Sequence, residues 1–159
     1  MTLSKYKAKR DLQKTPEPKP IKKKSSGKKS IFVVHDHHAS HHHYDLRLEM
    51  NKVLKSWAVP KIPPTSKGVK RLAIQVEDHD LDYANFEGTI SEGYGAGTVE
   101  IWDKGTYELI NSEGDPFGKK TPKEIQIKIF GKKLNGKYVL LKTNYGAKPE
   151  KSWLFFKVD

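Results

Sequence analysis

No cysteine occurs in the 159-residue chain. That absence excludes a disulfide framework, a thiolate zinc site and an iron–sulfur cluster, so any metal must be held through nitrogen and oxygen. Long apolar runs are also missing. None exceeds Ile31–Val34 in length, which rules out a membrane-spanning helix, and Met1–Lys14 lacks the apolar stretch of a secretory signal; the expected location is the cytoplasm. Helix-period patterning is equally scarce, with only Pro122-Lys123-Glu124 and the residues around Leu12 suited to a helical turn. No internal repeat is present, and the length suits one domain.

What the chain has in excess is positive charge, +11 in all. Residues 1–30 hold 11 Lys and Arg against Asp11 and Glu17, a net +9, whereas the other 129 residues carry 19 basic and 17 acidic groups, a net +2. Pro16, Pro18, Pro20 and Ser25-Ser26-Gly27 oppose regular structure there. Residues 1–29 therefore read as a basic, largely mobile arm on a near-neutral body at 30–159. Such an arm either solubilises the chain or binds a polyanion by counterion release, and nucleic acid is the favoured partner.

The body is mainly β. In His43–Met50 the residues Tyr44, Leu46, Leu48 and Met50 share one face, and His43, Asp45, Arg47 and Glu49 the other. Further strands are expected at Ile31–Val34, Val53–Val59, Arg71–Glu77, Gly97–Trp102, Thr106–Leu109, Ile125–Phe130, Lys137–Lys142 and Trp153–Val158. Asn135-Gly136 is a two-residue hairpin signal, because a type I′ turn needs positive φ at both central positions. Many short strands without helices predict a compact antiparallel β-barrel, a closure that removes exposed edges.

Six of the seven histidines lie between His35 and His43, followed by Asp45 and Arg47. On a strand, His43 and Asp45 project from one face about 7 Å apart, near enough to share a cation. His37 lies upstream, across an expected loop that folds back to supply a third ligand. Three protein ligands with open positions describe a catalytic metal site better than a structural one. A solvated polar face is the plainer alternative. Arg47 continues the His43/Asp45 face, and in Arg71–His79 the residues Arg71, Gln75, Glu77 and His79 alternate against Leu72, Ile74 and Val76. If both polar faces line one cavity, Arg47, Arg71 and His79 surround the metal with the cations and donors a phosphate needs. Taken singly, each arginine reads equally as a surface salt bridge and His79 as a loop histidine.

Several runs together resemble one family. They include Tyr6-Lys7-Ala8-Lys9-Arg10-Asp11-Leu12, His37–Glu49, Leu54–Lys61, Val76–Ala84, Phe86-Glu87-Gly88, Gly95–Val99 and Trp102–Thr106, in order and at kept spacing over nearly the whole chain. The sequence is similar to the 3′-phosphoesterase domain of bacterial DNA ligase D and its stand-alone archaeal relatives. The resemblance implies a manganese-dependent hydrolase of 3′ ends, on a β-barrel with its site in a cavity at one side. Such an enzyme removes a terminal ribonucleoside to leave a 3′-phosphate, then that phosphate to leave a 3′-hydroxyl. By motif position His37, His43 and Asp45 would hold Mn²⁺. Arg10, Arg47, Lys61, His79 and Tyr83 would engage phosphate and support catalysis, with Glu77 and Arg71 beside them. The implied partners are DNA or RNA–DNA primer-template 3′ ends in end joining, with a separate ligase and repair polymerase, since no Lys-x-Asp-Gly nucleophile run occurs.

This chain departs from the family pattern at particular points. His35-Asp36 stands where many members have Gln-Lys, and His38, His41 and His42 add nitrogen donors, leaving open which histidines bind. Ser91–Gly95 is one residue shorter than the common form, so a shortened loop is expected. Gly93–Gly97 has the glycine spacing of a nucleotide loop, yet Thr98-Val99 begins a strand, so a turn is expected. Two other classes fit parts of the sequence. His43-x-Asp45 with His79 could form an iron-oxygenase triad, and a non-catalytic barrel could stack bases on Trp57, Trp102 and Trp153, although strand tryptophans are more often core.

Overall fold

In the computed structural model, residues 29–91, 96–111, 117 and 121–159 are described. The basic arm, Arg10 within it, the turn near Leu12 and most of the Gly93–Gly97 segment lie outside them. Alternating sequences form nine strands among these residues: β1 Ser30–His38, β2 His43–Met50, β3 Val53–Val59, β4 Lys70–His79, β5 Gly88–Ile90, β6 Gly97–Leu109, β7 Glu124–Phe130, β8 Asn135–Lys142 and β9 Ser152–Lys157. All pair antiparallel in the order β1-β2-β3-β4-β9-β8-β7-β6, and β1 also pairs with β6, so eight strands close a barrel. Short β5 adds outside β6. The expected all-β barrel is therefore the fold.

Apolar alternation fills the barrel interior. Phe32 and Val34 of β1, Tyr44, Leu46 and Leu48 of β2, Trp57, Ile127, Leu140, Trp153 and Phe155 all belong to one buried cluster. Full burial of each such side chain contributes roughly 1.5–3 kcal/mol. A second, smaller cluster lies on the opposite face of the same strands. There Val33 and Leu54 meet Ala84, Leu81 and Tyr83 from the 3₁₀ turn Leu81–Asn85. β1 and β2 are thus covered on both faces, which buries the polar residues of their outer face.

Several boundaries differ from those the pattern predicts. β1 runs on to His38 because β2 and β6 pair with it on both sides, and Gly97–Leu109 is one continuous strand instead of two. Pro122–Glu124 makes no helical turn; Glu124 begins β7 and pairs with Leu141. Asn135-Gly136 does not form the β7–β8 hairpin turn. Phe130 pairs with Asn135, and the connection is Gly131–Leu134. Buried Asp103 holds that loop, its carboxylate accepting the backbone N–H groups of Lys132, Lys133 and Leu134 at 2.8–3.0 Å. Instead Asn51 and Lys52, with φ of 51° and 68°, make the two-residue β2–β3 turn.

Candidate metal and phosphate site

Cross-strand register assembles the site on the outer face of β1, β2, β3 and β4. His37 pairs directly with His43, and His35 with Asp45. Directly paired residues share a face, so no loop has to fold back to deliver His37. Donor atoms of His37, His43 and Asp45 lie within 4.8 Å of one another. His37 Nδ1 is 3.4 Å from Asp45 Oδ2, and His43 Nε2 is 3.3 Å from Asp45 Oδ1. His43 Nδ1–H donates to the His41 carbonyl at 2.8 Å, so the neutral ring keeps its Nε2 lone pair toward the cluster and only the protonated ring donates from Nε2 to Asp45. This outer hydrogen bond sets tautomer and ring orientation as metal sites require. Two imidazoles and a carboxylate without a thiol form a donor set that fits a divalent transition metal.

Asp45 also joins this cluster to Arg47. Its Oδ2 accepts from Arg47 Nη2 at 3.3 Å. Burial alone would raise the Asp45 pKa, but hydrogen bonding from His43 and the charges of Arg47, His43 and His37 outweigh it, and the net shift is downward. The same contact raises the pKa of His43. Arg47 itself is only 3% exposed. Its Nε–H donates to His35 Nδ1 at 3.0 Å, and Nη1 donates to Ser56 Oγ at 2.8 Å. Nη1 also lies 3.1 Å from His79 Nδ1. Four of its five N–H groups are thereby placed, and one Nη2 hydrogen remains for a ligand.

His79 reaches this face through a register shift. Ser56 pairs with Val76, whereas Leu54 pairs with His79, so β4 carries an extra residue near Glu77 and Asp78. The bulge reverses side-chain alternation and separates the residues expected to share one face. Val76 precedes it on the cavity side and His79 follows it there, while Gln75 accepts from interior Trp153. His79 Nδ1 lies between Arg47 Nη1 at 3.1 Å and the Glu77 carbonyl at 3.2 Å: the tautomer that accepts from the guanidinium carries its proton on Nε2, and the other donates from Nδ1 to the carbonyl. Burial and the Arg47 charge lower the His79 pKa and keep the ring neutral.

The 3₁₀ turn Leu81–Asn85 supplies Tyr83. Its ring lies 4.9 Å from the Arg47 guanidinium, 4.8 Å from the His79 ring and 5.2 Å from the His35 ring. Burial raises its pKa, so the hydroxyl stays a neutral donor. His37, His43, Asp45, Arg47, His79 and Tyr83 all line one cavity of about 570 Å³, with Glu77 at its edge. That volume suits a small ligand or the end of a chain. Two expected residues stand apart. Lys61 is exposed on the connection after β3 and outside the cavity wall. Arg71 donates through Nε to the Ile62 carbonyl at 2.7 Å and also lies outside the wall. His79 is not in the metal cluster, which removes the His43-x-Asp45…His79 iron triad. Trp57 and Trp153 are fully buried and stack no bases.

Sequence reading missed the supports of Arg47. Ser56 pairs with Arg47 across β2 and β3, and its signal was a lone hydroxyl between Leu54 and Ala58 on an otherwise apolar strand face. His35, left open as a further ligand, bridges Arg47 and the Phe86 carbonyl. Its Nε2–H donates to Phe86 at 3.1 Å while Nδ1 accepts from Arg47. Burial, then Arg47, lower its pKa from 6.5 to about 3. Between those values only the unfolded chain takes up this proton. The contribution of His35 to stability is therefore complete above pH 6.5 and declines as pH falls toward 3. From pH 7 to pH 5 the loss is about 2 kcal/mol. Glutamine can give the same donor and acceptor without titrating. In urea unfolding, His35→Gln should lose about 2 kcal/mol less than wild type over that interval; equal losses would contradict the neutral bridge.

A sequence profile of the DNA ligase D 3′-phosphoesterase domain matches residues 35–142. The chain is 47% identical over 143 residues to the multifunctional non-homologous end joining protein LigD of Mycobacterium bovis, covering 89% of this chain. It is 45% identical over 157 residues to LigD of Pseudomonas aeruginosa, covering 98%, and 40% identical over 161 residues to that of Mycolicibacterium smegmatis, covering 96%. It spans 18–20% of the length of these relatives. The profile match includes the histidine cluster, Asp45, Arg47, His79 and Tyr83, and with identities of this order over most of its length the chain belongs to the DNA ligase D 3′-phosphoesterase domain family, a family of hydrolases.

Proposed function

We propose that the cavity receives the 3′ end of a DNA or RNA–DNA primer-template strand in end-joining repair. The enzyme first removes a terminal ribonucleoside and leaves a 3′-phosphate, then removes that phosphate and leaves a 3′-hydroxyl for a ligase. The observation that carries this reading is the Asp45 carboxylate, which touches both the histidine pair and Arg47. The residues that would hold a cation and the arginine that would meet a phosphate thereby share one cavity. His37, His43 and Asp45 would hold Mn²⁺, which when bound supplies Lewis-acid polarisation of a phosphoryl oxygen.

The chain's own residues do the rest. Arg47 presents its remaining Nη2 hydrogen and its positive charge to a phosphoryl oxygen, held in place by His35, Ser56 and Asp45. His79 offers its Nε2 proton to the phosphate or to the departing oxygen, and Tyr83 adds a neutral hydroxyl donor. Lys61 approaches from the connection that Arg71 anchors through Ile62, and Glu77 borders the entry. Arg10 and the other charges of the arm add phosphate contacts along the strand. Repair-polymerase and ligase activities act before and after this step, and the location is the cytoplasm.

The direct test incubates a primer-template bearing one 3′ ribonucleotide with the protein and Mn²⁺, then resolves the 3′ ends formed. Sequential appearance of 3′-phosphate and 3′-hydroxyl ends is expected, and an unchanged ribonucleotide end would sink the reading. His79→Ala should depress phosphate removal by about 10²-fold or more, and more than ribonucleoside removal, because a monoester can carry two negative charges. The 3′-phosphate intermediate then accumulates. Parallel losses on separately supplied diester and monoester ends would discard this division of labour.

A further inference from the structure

The opposite face of the same hairpin carries a second donor cluster. Side chains alternate along β1, so Asp36 and His38 project away from His37. His42, from the turn into β2, reaches back to join them. His38 Nε2 lies 3.2 Å and His42 Nε2 2.6 Å from one oxygen, Asp36 Oδ1. The two imidazole rings stack with centroids 4.3 Å apart and planes 9° from parallel. All three donor atoms lie within 4.8 Å of one another.

We propose that Asp36, His38 and His42 form a second metal site, which takes a divalent transition-metal ion independently of the His37, His43 and Asp45 set. Both rings meet the same carboxylate oxygen through Nε2. A cation among the three atoms would take a lone pair from each neutral ring and neutralise Asp36, and to direct both in-plane lone pairs at one ion the stacked rings must turn out of parallel. Ligands about 2.0–2.1 Å from a tetrahedral ion are about 3.3 Å apart. The His38 contact already has that spacing, and the His42 contact, at 2.6 Å, needs to open by about 0.7 Å. Two imidazoles and one carboxylate select zinc, nickel, cobalt or copper over magnesium or calcium. The histidine side chains are 49% and 47% exposed, so the ion's remaining positions face solvent.

This site clips the turn that feeds the first one. His42 precedes His43, and the His41 carbonyl between the clusters accepts the His43 Nδ1–H. Occupancy should therefore hold the 39–42 connection closed, and it should raise the melting temperature without being required for hydrolysis.

Tag-free full-length protein is dialysed against Zn²⁺ and the bound metal counted. No histidine precedes His35, so the arm adds no imidazole ligand. Two equivalents are expected for wild type, one for the His38→Asn/His42→Asn double variant, and one for His43→Asn, whose melting temperature should still rise with Zn²⁺. The double variant should keep Mn²⁺-supported hydrolysis within about twofold of wild type and lose the zinc-induced rise attributed to this cluster. Its melting temperature in chelator checks that it is folded; should it fail to fold, His38→Asn alone must weaken the second equivalent at least tenfold. One equivalent in wild type, two in the folded double variant, or an undiminished second equivalent in His38→Asn would overturn the proposal.

Discussion

Asp45→Asn should lower turnover on both 3′-ribonucleoside and 3′-phosphate ends by more than about 100-fold, since even indirect supports of a metal site account for 10–100-fold. Asp45 is 5% exposed and serves three partners at once, His37, His43 and Arg47, at 3.3–3.4 Å. The amide keeps one acceptor oxygen but removes the charge that supports both the cation and the guanidinium. A stability loss should accompany the loss of activity, because a buried arginine left without its counter-ion costs about 3–5 kcal/mol. His43→Ala separates the two effects. His43 is half-buried and its bonds are to Asp45 and the His41 carbonyl, so activity should fall as far while urea unfolding changes little. Wild-type turnover of either variant at limiting Mn²⁺ would refute the ligand assignment.

The second large effect belongs to Arg47. Read from sequence alone it could be one half of a surface ion pair, and such pairs contribute about 0–1 kcal/mol. The structure buries it and gives it four bonds in three directions, to Asp45, His35, Ser56 and His79. Arg47→Lys keeps the charge but replaces a planar fork by a single ammonium, which cannot reach His35, Ser56 and Asp45 together. Turnover should drop about 10²–10³-fold, the size expected when a preorganised donor is removed from a transition-state charge. Arg47→Met, which takes the guanidinium from Asp45 and leaves His35 Nδ1 without its donor, should destabilise folding by about 3–5 kcal/mol. A change below 1 kcal/mol in urea unfolding, with turnover near wild type, would return Arg47 to the surface-pair reading.

The difference between these two readings shows what period-two alternation can and cannot convey. It separates His43, Asp45 and Arg47 from Tyr44, Leu46 and Leu48, and so it brought out two of the three proposed metal ligands and the barrel class from local sequence. It does not say which face is enclosed. Here both are, one by the barrel core and the other by the turn Leu81–Asn85. That turn is local in sequence, but its burial of Arg47 depends on where β4 ends. The likeness to a known family assigned His37 to the metal, whereas alternation placed it beyond a loop. In the structure β1 extends under pairing from β2 and β6 and sets His37 opposite His43.

Arg71 and His79 mark the limit more sharply. Uninterrupted alternation puts them on one face, and one extra residue in β4 separates them. A bulge is decided by the register of the neighbouring strand, which the sequence of β4 does not contain. The same holds for the β7–β8 turn. Asn135-Gly136 has strong local turn chemistry, yet the carboxylate of Asp103, distant in sequence, holds Gly131–Leu134 as the turn and leaves Asn135 paired in β8. The sequence by itself determined the strand class, the excess of basic charge, the absence of thiol ligands and the density of nitrogen donors, all properties of composition and short-range period. Tertiary structure alone decided which histidines meet Asp45, which meet Asp36, and that His35 holds Arg47 instead of a metal, because cross-strand register joins residues whose separation no local pattern encodes.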